Sequence, residues 1–239
     1  MRKNIEQYML ELKAWLSEEE ETPLEEMSDF FTARIEGYEE HMSPWTDAYK
    51  RFGELLPQAC VDVLDLGCGS GLELEALWQH HPRVKITGVD LCEAMLAKLR
   101  DKYKPQWEDG RLTVVCADYM RMDLGENRYD AVISFESLHH FQPKQKQGLY
   151  KKIAGCLKPG GVFLLADYMA CCEEEETLLA DVCKKKRKRA GIAEDIWMHF
   201  DIPLTVPHEL ELLKNAGLSR LRILEDREDA VILMLEKQG

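Results

Sequence analysis

Residues Val61 to Leu77 read VDVLDLGCGSGLELEAL. An apolar run ends in three glycines within five residues, Gly67, Gly69 and Gly71, and then resumes with apolar residues at helical spacing. Glycine tolerates positive φ and lets the main chain approach a ligand closely. A strand, a glycine turn and a helix together place that turn at the carboxyl end of the strand, where open α/β sheets bind their ligands. The spacing here is G-x-G-x-G, with Leu72 where the third glycine of the G-x-G-x-x-G dinucleotide fingerprint would stand.

Downstream the pattern alternates. VKITGVD (84–90), RLTVVCA (111–117), YDAVISF (129–135) and GVFLLADY (161–168) are predicted strands. Helices are predicted over Gly71–His81, over Cys92–Lys104 with Met95, Leu96 and Leu99 on one side, and over Pro143–Leu157. Strands separated by helices of this length imply a parallel sheet covered on both faces, joined by right-handed crossovers. Near the end, Thr205 reads as an N-cap and Pro207 as part of the first turn of a helix ending at Gly217. LSRLRIL (218–224) and AVILMLEK (230–237), separated by EDRED, are predicted to close the sheet as an antiparallel hairpin.

Two segments lie outside this alternation. In the first, Ile5, Tyr8, Met9, Leu12, Trp15 and Leu16 fall on one helical face, and Pro23 starts a second helical stretch carrying Met27, Phe30, Phe31, Ile35 and Tyr38. The pair is expected to cover the main domain or to wall a substrate pocket. The second segment holds EEEE, the basic run KKKRKR (184–189) and IWMHFDIPLT. The simplest partition is one domain over 1–239, with 1–50 as a helical cover and 171–204 as an insertion. For that insertion a substrate lid and an inert helical excursion both fit.

The formal net charge of −13 argues against non-specific affinity for nucleic acid or anionic lipid. KKKRKR wraps around more than one helical turn, forms no single stripe, and reads as a solvated helix rather than an RNA-contacting face. No stretch approaches the roughly 20 apolar residues of a membrane span. MRKNIEQYMLELKAWL lacks the continuous apolar run of a signal peptide, so a cytoplasmic protein is expected. None of the eight cysteines forms a C-x-x-C pair; reduced, buried thiols and no metal site are expected.

Asp65, two residues before the first glycine, would repel the pyrophosphate of a dinucleotide and attract a ligand bearing an ammonium and a sulfonium. DLGCGSG (65–71) resembles the first motif of the class I S-adenosylmethionine-dependent methyltransferases. ITGVDLCEAM, VVCADYMRMDL, YDAVISFESLHHF and LKPGGVFLLADY resemble the later motifs in the expected order, over roughly residues 55 to 170. The resemblance implies a Rossmann-like, seven-stranded mixed sheet, mostly parallel with an antiparallel C-terminal hairpin, flanked by helices and carrying an N-terminal helical extension. It implies S-adenosylmethionine as cofactor and S-adenosylhomocysteine as product. By the same resemblance Asp65, Gly67, Cys68, Gly69 and Gly71 form the cofactor turn, and Asp90 accepts the ribose hydroxyls. Leu91 and Met95 flank the adenine, Asp118 accepts its exocyclic amine, Tyr119 lies near the ring, and Ser134 lines the region of the methionine moiety.

The expected function is methyl transfer to a small molecule, with a tRNA or protein methyltransferase and a non-catalytic cofactor-binding module as alternatives. The family needs no invariant catalytic residue, because the chief requirement is an in-line arrangement of acceptor, methyl carbon and sulfur. Glu136, His139, His140 and Tyr168, with Trp197, His199, Phe200 and Asp201 of the insertion, are the candidates for the acceptor side. The amphipathic face of the first helix can dock on its own domain or on a second subunit.

Overall fold

The computed structural model describes residues 4–226 and 230–237. Its centre is a seven-stranded sheet of order β4-β3-β2-β5-β6-β9-β8. β2 (Asp62–Leu66), β3 (Lys85–Asp90), β4 (Leu112–Cys116), β5 (Tyr129–Phe135) and β6 (Leu157–Asp167) run parallel. β9 (Val231–Lys237) is antiparallel to both β6 and β8 (Leu218–Asp226), as the terminal hairpin requires. Of the EDRED segment, residues 227–229 lie outside the described part. The strand order reverses between β2 and β5, and at that switch point the glycine turn leaves β2.

Alternation along the strands sorts the core into two layers. Val63, Ile133 and Leu164 face α4 (Thr46–Leu55), α5 (Leu74–His80) and α6 (Glu93–Lys102), where Phe52, Leu77 and Leu99 pack against them. Leu64, Val132 and Phe163 face the opposite way, toward α8 (Pro143–Cys156) and α10 (Val206–Asn215) with Tyr150, Ile153 and Leu213. α7 (Lys104–Glu108) leads into β4. Local chemistry starts and stops these helices. Pro143 opens α8 behind a capping box in which the Gln145 side chain accepts from the Gln142 amide at 2.8 Å. Between α8 and α10, the Lys146 ammonium and the Tyr150 hydroxyl both donate to Glu209, and all three side chains are fully buried.

The amino-terminal region departs from the expected pair of helices. α1 (Ile5–Glu18) forms as predicted, but Pro23 does not open a second helix. Glu25–Glu26 is instead a short strand, β1, paired antiparallel with β7 (Met198–His199) of the insertion. Helix begins only at Met27, as α2 (Met27–Ala33), breaks, and resumes as α3 (Tyr38–His41). A strand ladder with a distant segment is invisible to local periodicity, which explains the error. The helical region also does not end near residue 50. α4 carries fully buried Phe52, and a Cβ on Gly53 would come within 2.6 Å of the Ala76 backbone, so α4 packs directly on α5.

The insertion is largely helical, as one of its two readings and the reading of KKKRKR allowed. EEEE and KKKRKR are the two ends of one helix, α9 (Glu173–Ala190), closed by Gly191 at φ +66°. Four glutamates lie in its first turn and Arg187, Lys188 and Arg189 in its last, a distribution matched to the helix dipole. Lys186 donates to the carbonyls of Glu19 and Thr22 just beyond α1, and Arg189 pairs with Glu20 and Glu21. Lys186 and Arg189 of the basic run therefore fasten α9 to the end of α1.

Candidate functional site

All three glycines of the turn adopt left-handed backbone: Gly67 at φ +77°, Gly69 at +48° and Gly71 at +70°. A Cβ on Gly67 would lie 2.0 Å from the Ser137 hydroxyl and one on Gly71 would lie 2.4 Å from Leu99, so neighbouring elements occupy that space. At Gly69 the nearest atom to an added Cβ is the Tyr38 hydroxyl at 3.8 Å, which leaves its face open toward the cleft. The turn is tied to the next strand: the Gly67 amide donates to the Val89 carbonyl at 2.8 Å and the Gly69 amide to Asp90 Oδ2 at 2.9 Å. Asp90 Oδ1 accepts from the Cys92 amide at 2.8 Å, and each oxygen keeps a lone pair for another donor. Burial raises the Asp90 carboxyl against the opposing effect of these amides.

Gly67, Gly69, Asp90, Met95 and Tyr119 line one cleft, facing Phe135, Glu136, Ser137 and Phe141. The other expected cofactor residues lie elsewhere. Ser134 is fully buried and its hydroxyl donates to the Leu66 carbonyl at 2.8 Å, joining β5 to β2. Cys68 is buried beneath Gly88, and burial holds its thiol well above the usual range. Asp118 accepts the Trp197 indole N–H at 2.7 Å and pairs with Arg121 at 3.2 Å. Gly71 and Leu91 do not line the cleft either.

Asp65 corrects the charge argument made from sequence. Its side chain is 1% exposed and lies outside the cleft lining. With both carboxyls ionised neither Asp65 oxygen has a donor, whereas a proton shared with Glu73 supplies one. Burial, reinforced by the Glu73 charge, therefore pushes Asp65 well above the carboxylate range. It lies beneath the turn, where burial and Glu73 favour its protonated form over a full negative charge.

The stretch expected to cover the domain or wall a substrate pocket roofs this cleft instead, with Met27, Phe31 and Tyr38 from α2 and α3 lying over the glycine turn. The aromatic residues of that stretch were the available signal, but their spacing also suits an ordinary amphipathic face. Beneath the roof the cleft offers only about 60 Å³, less than a nucleoside fills. The lining suits an S-adenosyl group: a buried carboxylate for a diol, the Met95 and Tyr119 side chains for a base, and an open glycine backbone. Glu136, at the end of β5, adopts φ +48°, strained for a residue with a side chain, and it stands at the inner end of this cleft.

A titratable cluster adjoins that end. His139 Nδ1 lies 2.6 Å from Asp167 Oδ1 and 3.9 Å from Glu136 Oε2, and its Nε2 lies 3.5 Å from Asp201 Oδ1. Asp201 also approaches His140 Nδ1 at 3.2 Å. Burial opposes charge on His139, but Asp167 and then Asp201 outweigh it and hold this imidazole protonated well above its ordinary range. Burial and the His139 charge lower His140. At Asp201 the two histidines override burial and keep the carboxyl well below its usual range. Ligand atoms of His139, His140 and Asp201 all lie within 4.8 Å of one another, a spacing that the ion pairs account for without a cation.

A second cavity, of about 300 Å³, opens on the far side of this cluster between α1, α9 and the β1–β7 ladder. His199 and Asp201 line it, whereas His140 lines the first cleft. The two spaces thus meet at the contacts of His140 with Asp201 and His199. His199 stacks on Phe30 with centroids 3.4 Å apart and lies 4.8 Å from His140. Burial, then the His140 imidazole, lowers His199 to about 3. α1 is docked onto α9 by the Tyr8 hydroxyl, which donates to Glu175 at 2.5 Å.

The family described as "Methyltransferase domain" matches residues 63–161, from the glycine-turn strand into β6. The chain is 23% identical over 204 residues to a carboxy-S-adenosyl-L-methionine synthase of Nautilia profundicola, covering 82% of this chain and 84% of that protein. It is 26% identical over 221 residues to the O-methyltransferase cnsE of Penicillium expansum, covering 86% and 74%. Among solved structures, human N-acetylserotonin methyltransferase in complex with S-adenosylmethionine superposes with a TM-score of 0.62 at 17% identity. That match covers 86% of this chain but only 55% of the human one. The sheet order, the glycine turn and these likenesses together support a class I S-adenosylmethionine-dependent methyltransferase, with the methyltransferase-domain match confined to residues 63–161.

Proposed function

We propose that the protein methylates a small molecule held beside the His139 cluster, with the cofactor in the cleft lined by Gly67, Gly69, Asp90, Met95 and Tyr119. The observation that carries this reading is the carboxylate of Asp90, bound to the Gly69 amide and aimed into a cleft that meets a second, larger cavity at the contacts of His140 with Asp201 and His199. Bound there, S-adenosylmethionine supplies a methyl group on a sulfonium. Asp90 accepts the ribose hydroxyls, Met95 and Tyr119 bracket the adenine, and Tyr38 and Phe31 close over the turn and exclude water. Asp118, held by Trp197, orders the insertion against β4 instead of reading the adenine amine directly. Residues 1–55 and 171–204 act as the cover of a single catalytic domain.

The test is a thermal shift with S-adenosylmethionine, S-adenosylhomocysteine and NAD. A ligand that binds only the folded state stabilises it by about 2.7 kcal/mol at a hundredfold its dissociation constant, a few degrees for a chain of this size. Both S-adenosyl compounds should raise the midpoint and NAD should not; the opposite pattern would remove the cofactor assignment.

His139 is the proposed receiver of the acceptor's proton. Asp167 orients its ring and Asp201 faces its Nε2, while Glu136, His140 and Tyr168 pack around it. Because His139 is held protonated, it accepts a proton only after losing its own, so the rate should rise with pH through its raised pKa. Asp201→Asn removes one of the two carboxylates that raise it, and the profile should move to lower pH. His139→Gln should lower kcat by about 10²–10⁴-fold, the usual worth of a positioned base. An unmoved profile in Asp201→Asn would end this assignment.

A further inference from the structure

We propose that the cavity between α1 and α9 is the acceptor chamber and that it takes an uncharged, two-ring aromatic molecule bearing a ring hydroxyl, an inference that rests on the methyltransferase reading above. Size is the first argument. An engineered cavity of about 150 Å³ holds one benzene ring, and this cavity is about 300 Å³.

The walls are the second argument. Trp15, Phe30 and Phe200 line the cavity, and Trp15 is 51% exposed, so a planar guest would cover an aromatic face that α1 now leaves open. Phe30 is already stacked between the Arg34 guanidinium, 3.7 Å from its centroid, and the His199 ring.

The charges are the third. Arg34 is bound by Glu25 at 2.7 Å, Lys186 by the Glu19 and Thr22 carbonyls, and Asp201 by His139 and His140. Glu19, at the α1 end, is partly exposed and stays solvated. Lys186 keeps its charge at the α1 end, where carbonyls hold it. Among the described residues Arg34 and Asp201 are each already paired with an opposite charge. A charged guest there would have to displace an ion pair, and burying an uncompensated charge is costly.

The inner end selects the reacting group. Asp201, whose side chain is 45% exposed, accepts a hydrogen bond from a guest hydroxyl and places its oxygen beside the His140–His199 contact, which parts to let that oxygen reach the methyl group in the cofactor cleft. A phenolic proton, with an ordinary pKa near 10 as in tyrosine, is acidic enough to pass by way of Asp201 to His139 once that imidazole has lost its own proton to solvent, whereas the proton of an aliphatic hydroxyl is not. In the transfer the oxygen–carbon bond forms as the oxygen–hydrogen bond breaks. The carbon–sulfur bond breaks with its electron pair remaining on sulfur, leaving a neutral thioether, and the proton reaches solvent through His139.

The test is calorimetric titration of the full chain, saturated with S-adenosylhomocysteine, with 2-naphthol, 2-naphthoate and 2-naphthylmethylammonium. 2-Naphthol should bind with a negative heat-capacity change, at least tenfold more tightly than either charged analogue. With S-adenosylmethionine it should be methylated on oxygen. Leu12→Trp, which fills the chamber from α1, should weaken 2-naphthol at least tenfold and leave S-adenosylhomocysteine affinity unchanged; Trp15→Ala should weaken it through loss of the aromatic wall. Intact S-adenosylhomocysteine binding with no 2-naphthol binding, with tighter binding of a charged analogue, or with 2-naphthol indifferent to both variants overturns the inference alone. A protein that fails to bind S-adenosylhomocysteine overturns the methyltransferase reading and this inference with it.

Discussion

Asp90→Ala is expected to weaken S-adenosylmethionine and S-adenosylhomocysteine by at least about a hundredfold, measured by calorimetry. Two contributions add. Hydrogen bonds to a charged group are worth about 1.5–3 kcal/mol each, and a ribose diol makes two of them with one carboxylate. The substitution also deprives the Gly69 and Cys92 amides of their acceptor, so the turn loses the tie that holds it open to the ligand. At about 1.4 kcal/mol per tenfold, the diol bonds alone account for roughly two to four decades. Asp90→Asn should fall between wild type and Ala, because one amide oxygen remains as an acceptor. Since burial raises the Asp90 carboxyl, the wild-type affinity should also decline on the acid side, as the carboxylate is protonated. A variant that binds as the wild type does would place the ribose elsewhere.

The largest loss of stability is expected from Glu209→Ala. Lys146 Nζ lies 2.7 Å from Glu209, both side chains are fully buried, and Tyr150 donates to the other carboxylate oxygen. Removing the carboxylate leaves a buried ammonium and a buried hydroxyl without their acceptor, which costs about 3–5 kcal/mol. For a chain of this length that is roughly 6–20 °C in melting temperature. The double variant Lys146→Met, Glu209→Leu should recover most of the loss, because it removes both charges and keeps the volume. If the single variant melted within about 2 °C of wild type, on the order of 1 kcal/mol, the network would carry little of the α8–α10 packing.

The parts of the fold that local pattern determines were read correctly: each strand of the seven-stranded sheet and the helices α5, α6, α8 and α10. Their signals are short-range, namely period-two and period-3.6 burial, glycine at positive φ and proline at a helix start. The readings that failed concern contacts between distant segments. The β1–β7 ladder joins residues 25–26 to 198–199, and the basic end of α9, read as a solvated helix, has Lys186 and Arg189 bound to the segment after α1. Asp65 failed for the same reason, since its charge state depends on Glu73, which the fold brings beside it.

By itself the sequence determined the doubly wound sheet, the glycine turn at its switch point and the acid Asp90 at the end of the neighbouring strand. Those follow from propensities and periods that act over a few residues. Only the tertiary structure decided that Asp118 and Ser134 are engaged elsewhere, that Met27, Phe31 and Tyr38 roof the cleft, and that His139 stands between Asp167 and Asp201. The physical reason is that burial and charge pairing belong to the assembled neighbourhood: a carboxylate or imidazole acquires its protonation state only when the segments around it have met.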